Sequence, residues 1–105
     1  MKIHRAHKSH TNHSPENDLF EAITSIHTVE EAQQFFRDLC TPTEIQAMAD
    51  RWLVVGAIKE NKPYRQIYDE TGVSVATVGR VARSLMLGEG GYNLIFSRLE
   101  KKQRK

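Results

Sequence analysis

Apolar residues recur at spacings of three and four from about residue 18 to residue 99, and no stretch alternates with the period of a strand, so helices are expected throughout. Leu19, Phe20, Ile23 and Ile26 form one stripe, predicting a short helix from about Asp18 to Thr28. Thr28 with Glu31 reads as a capping box that opens a second helix, with Val29, Ala32, Phe35, Phe36 and Leu39 on its buried face. Thr41-Pro42-Thr43-Glu44 is the strongest helix start in the chain: a capping threonine, proline at the first position and glutamate at the third. A long helix should follow to about Glu60. Two short helices are then predicted over residues 63–85, the first opening on Pro63 and stopping at Gly72, the second capped by Ser74. After LGEGGY, a last helix carries Tyr92, Ile95, Phe96 and Leu99. The pattern predicts an all-α chain of about six helices: one domain over residues 18–100, a polar tail over 1–17 and a basic tail over 101–105.

One part of the long helix breaks the amphipathic rule. From Trp52 to Ile58 the run WLVVGAI is apolar on every side, and a helix apolar all round must be buried all round. A chain of 105 residues has little else with which to surround it. Trp52, Leu53, Val55 and Ile58 are therefore expected at the centre of a homodimer interface.

The paired helices over residues 63–85 have the layout of a helix-turn-helix. Ile67, Val73, Val78 and Val81 are apolar where such a unit needs them, and Thr77, Arg80 and Arg83 are left to face outward. Tyr68 stands where the motif usually has a small residue, which puts the packing between the helices in question there. Charge adds to this reading. The chain is only +2 overall, but residues 14–61 hold nine acids and three basic residues, whereas residues 62–105 hold nine basic residues and four acids. Between residues 71 and 88 there are two arginines and no acid, so the second helix should meet a polyanion. Its leading turn, Ser74, Val75, Ala76, Thr77, Val78 and Gly79, offers base edges one free hydrogen-bonding side chain, Thr77, because Ser74 is used as the cap. Val75 and Ala76 can touch thymine methyls, while Arg65, Arg80 and Arg83 should grip phosphates. The competing expectation is a protein–protein interaction module whose outward arginines meet acidic side chains.

Other chemistry is sparse. His4, His7, His10 and His13 recur every third residue and are weak candidates for a metal-binding tail, which would make a metal-responsive regulator a further alternative. No phosphate loop, defined metal site or nucleophile with a base is visible, and no enzyme is expected. Cys40 is the single cysteine and is assigned no role; with no signal peptide and no membrane-length apolar run, a cytoplasmic location is expected.

The segments CTPTEIQAMADRW and ENKPYRQIYDETGVSVATVGRVARSL resemble the Trp repressor family, and LGEGGY directly after them looks like its YerC/YecD branch. The resemblance implies an intertwined homodimer that reads double-stranded DNA through successive major grooves and acts as a transcriptional regulator, as a repressor by blocking promoter access. Its readout would rest on water bridges and duplex shape, the mode known for the Trp repressor. It also implies a co-repressor pocket: Arg51 and Arg80 match the two arginines that sandwich an indole, and Ser84 matches the serine that meets the ligand's amino group. The position after Arg80 is glycine in the tryptophan-binding proteins and is Val81 here, so an isopropyl group should enter the slot. No cofactor is expected; a small-molecule co-repressor stays open, and L-tryptophan is a poor fit.

Overall fold

Four helices in this chain start where a hydroxyl accepts one of the unpaired N–H groups of the first turn. The computed structural model describes residues 14–103. In it Ser14 accepts from the N–H of Asn17 at 3.0 Å, Pro15 follows, and α1 runs Pro15–Ile23. Helix thus begins inside the span expected to be a polar tail. It also ends before Thr28: the hydroxyls of Thr24 and Ser25 donate to the carbonyls of Glu21 and Ala22 at 2.7 and 2.8 Å, local bonds that compete with helix continuation. α2, Val29–Leu39, is capped by Thr28, whose hydroxyl accepts from Glu31 N–H at 3.1 Å. The Glu31 carboxylate reaches one residue further back than a standard box, accepting from His27 N–H at 2.9 Å.

The described chain divides after Leu39 into two compact units where a single domain was expected. The first consists of α1 and α2, and neither helix has a buried residue. Phe35 and Phe36 meet edge to face at 5.6 Å, yet both stay half-exposed, so the pair expected in the core is not enclosed by this chain.

The second unit holds α3 (Pro42–Leu53), α4 (Val55–Lys59), α5 (Tyr64–Thr71), α6 (Val75–Leu87) and α7 (Gly91–Gln103). Thr41 and Glu44 form the complete capping box that the sequence predicts. The six expected helical segments are all there, and the long third one is divided at Val54, where φ −88° and ψ −4° interrupt the helix. α4 closes with Asn61 in the left-handed region at φ 63°, as Asn61 N–H donates to Ile58 and Lys62 N–H to Ala57. Pro63 is the residue before α5 rather than its first position; its ψ of 144° is extended. Lys62 is tied forward to Glu70 at 3.1 Å, and Gln66 donates to the same carboxylate at 2.8 Å. The Gln66 hydrogen bond first, and then Lys62, hold the Glu70 carboxyl below the usual carboxylate range.

Branched side chains fill the core of this unit: Val54, Val55, Ile67, Val73, Val78 and Val81, with Ala57, Ile58, Leu85, Tyr92 and Phe96 packed around them. Val55 is 0% exposed within the single chain, which corrects its placement at a subunit interface: a neighbouring subunit is not needed to bury it. Leu53, by contrast, is 57% exposed. α7 closes the unit through Tyr92, stacked on Trp52 with ring centroids 6.3 Å apart, and through Phe96, edge-on to Trp52 at 6.2 Å. Lys59 spans the same joint, donating to Asn93 at 2.7 Å and lying over the Phe96 ring. α7 continues through Lys101 and Lys102, so part of the expected basic tail is helical.

Gly88 ends α6, its N–H donating to Ser84 O at 2.9 Å. A Cβ there would lie 2.5 Å from that same carbonyl oxygen, a backbone atom that cannot swing aside. Gly88→Ala should therefore destabilise the fold by about 1–3 kcal/mol, whereas Gly91→Ala, which meets nothing within 4 Å, should stay within about 0.5 kcal/mol of the natural chain. Urea melts of the two variants make the comparison.

Candidate nucleic-acid interface

The geometry of the helix pair α5–α6 is set at the turn. Gly72 has φ 80°, a conformation that glycine adopts without steric cost, and its N–H donates to Tyr68 O at 2.8 Å. The Thr71 hydroxyl donates to Ile67 O at 2.7 Å and accepts from Val73 N–H at 3.0 Å, so one side chain bridges helix end and turn. Val73 is thereby delivered into the core at 4% exposure, beside Ile67, Val78 and Val81. These are the four residues expected to hold the angle. Tyr68 is 45% exposed, so the ring is not wedged between the helices and the question it raised is resolved.

Ser74 caps α6, accepting from Thr77 N–H at 3.1 Å. Its hydroxyl also donates to Thr77 Oγ1 at 3.0 Å, and Thr77 is half-buried. Thr77 Oγ1 thus accepts from the capping hydroxyl and keeps its own O–H as a donor. Val75, Ala76, Arg80 and Arg83 are exposed on α6. Neither arginine has an acidic partner among the described residues. Arg65 is 78% exposed and lies 3.7 Å from Asp69 one turn on, a surface pair that a phosphate can displace at little cost. At Gly79 a Cβ would meet the ring of Tyr64 at 3.8 Å, an ordinary contact, so this position of α6 borders α5. That contact joins two helices and has no signature within either.

Two of the expected co-repressor residues line one groove. Arg80 and Ser84 line an open groove with Arg83, Leu87 and Gly88, and Arg51 is not among its walls. Val81 is 1% exposed and belongs to the core. His4, His7, His10 and His13 lie outside the described residues; among those described, no three metal-binding side chains gather. No described helix is long and apolar enough to cross a membrane.

Comparison with known proteins agrees with this geometry. Residues 16–100 match the model of the Trp repressor protein family. The chain is 40% identical over 84 residues to YerC of Bacillus subtilis (strain 168), an uncharacterized protein, covering 80% of this chain and 81% of YerC. Among solved structures, a TrpR-like protein from Eubacterium eligens ATCC 27750 superposes with a TM-score of 0.76 at 40% identity, over 83% of this chain and 91% of the other. A candidate Trp repressor from Staphylococcus aureus gives 0.79 at 38% identity, over 93% and 96%. An all-helical chain with a capped helix-turn-helix, matched over these lengths, belongs to the Trp repressor family, a family of DNA-binding regulators rather than enzymes.

Proposed function

We propose that the chain works in the cytoplasm as a homodimeric repressor that occupies promoter DNA and blocks access to it. The observation that carries this reading is the surface of α6: Arg80 and Arg83 stand exposed with no carboxylate from residue 71 to 88, on a helix whose opposite face is locked into a core. Such a surface binds phosphates by releasing counterions. Two features support the dimer. α1 and α2 bury none of their own residues, and Leu53, Met86 and Leu87 are 57, 78 and 70% exposed, far more apolar surface than an isolated helical unit keeps in water. The repressor role rests on the family and on the name borne by the Staphylococcus aureus relative.

A gel shift against fragmented genomic DNA at several salt concentrations tests the reading. Arg83→Ala should weaken binding to specific and random duplex alike and reduce the salt slope by about one. Loss confined to the specific duplex, with an unchanged slope, would assign Arg83 to bases instead.

Leu53→Glu leaves the core of the single chain untouched. At a buried interface an unpaired carboxylate costs several kcal/mol, so this variant should sediment at half the mass of the natural chain or fail to fold. An unchanged mass and melting temperature would remove Leu53 from the interface.

L-Tryptophan should have no effect on DNA affinity, since the isopropyl group of Val81 holds the place that the tryptophan-binding proteins leave open. Titration of the natural chain with duplex, with and without millimolar L-tryptophan, is the measurement. Tenfold tighter binding in its presence would overturn this assignment.

A further inference from the structure

The face that α6 offers to DNA has a gap. Helical periodicity sets Val75, Gly79 and Arg83 in one line along the helix. Val75 and Arg83 are exposed, and between them stands a residue with no side chain. The gap has a neighbour: an edge carbon of the Tyr64 ring, from the first turn of α5, lies 3.8 Å from an ideal Cβ at Gly79, an ordinary contact distance. Tyr64 is 43% exposed, so it lies beside α6 at Gly79 while part of it faces water. No hydrogen bond or ion pair engages its hydroxyl among the described residues.

We infer that Tyr64 is a DNA-positioning residue whose hydroxyl donates to a phosphate oxygen beside the groove that α6 enters, with Gly79 as the seat that holds the ring in place. This rests on the DNA-binding reading above. A phosphate, rather than a base edge, follows from the layout of the motif: the first helix of a helix-turn-helix crosses the backbone while the second enters the groove. A side chain rooted on α5 and laid against the flank of α6 therefore ends at the groove's rim. The need for it is local. Ser74 donates to Thr77, Val75 and Ala76 have no polar side-chain atoms, and Arg80 and Arg83 begin one turn further along, so the half-buried Thr77 hydroxyl is the one other side-chain donor at the leading end of α6. A phenol seated on a neighbouring helix loses little rotamer freedom on binding, unlike a lysine at the same place.

The charge on this donor separates it from the arginines. A neutral hydroxyl releases no counterion, so its loss should lower affinity by the same factor at every salt concentration. Tyr64→Phe should bind the tightest-binding genomic fragment and a random duplex roughly three- to tenfold more weakly than the natural chain, with a parallel salt plot and an unchanged melting temperature. Gly79→Ala, whose methyl meets the ring at an ordinary contact distance, should bind normally; Gly79→Leu should displace the ring and reproduce the Tyr64→Phe loss. Natural affinity in Tyr64→Phe, while the unsubstituted chain binds duplex, would overturn this inference and leave the DNA reading standing. A loss confined to the genomic fragment would place the hydroxyl on a base and overturn the phosphate assignment. No duplex binding by the unsubstituted chain would overturn both.

Discussion

Holding two short helices at a set angle requires a corner filled by side chains that cannot easily rearrange, and in this protein that corner is five valines and an isoleucine. Val55, Ile67, Val78 and Val81 lie in helices, where branching at Cβ leaves one dominant rotamer, so little side-chain freedom remains for packing to remove. Each element supplies a share: Ile67 from α5, Val73 from the turn, Val78 and Val81 from α6, Val54 and Val55 from the interrupted α3–α4 segment. Arg80 and Arg83 keep a fixed register because the other side of α6 is committed to this corner. Val81 links the two properties most directly, since it sits beside Arg80 in the chain and its methyl groups help complete the core.

The second unit has a closed interior, whereas the first has none. α1 and α2 carry amphipathic stripes that they do not bury against each other, and the C-terminal end of α6 leaves Met86 and Leu87 exposed. Division of labour follows: one unit holds the reading helix without help, and the other can hide its apolar faces only against something outside itself. The proposed homodimer meets that requirement with the material at hand.

Much of this was legible in the sequence wherever the signal is local. Thr41-Pro42 and Glu44, Gly72, and Ser74 each do what their residue types predict, because capping and positive φ are decided within four residues. Ser14-Pro15 has the same signature as Thr41-Pro42, but the polar composition around it masked the start of α1. The all-apolar run marked burial correctly without saying what does the burying: Val55 is covered by its own chain, while Leu53 is open. The break at Val54 has no glycine or proline to announce it. The Ser74–Thr77 bond and the seating of Tyr64 on Gly79 depend on hydroxyl direction and on contact between helices, which no spacing encodes.

The composition of the reading segment has one more consequence. From residue 71 to residue 88 there is no histidine, lysine, cysteine, tyrosine or acid, and the two charges present are both arginine, which does not give up its proton in proteins. Acidity therefore has no handle on the charge of this segment. A shift of the medium between mildly acid and mildly alkaline should therefore leave the electrostatic grip of α6 where it was.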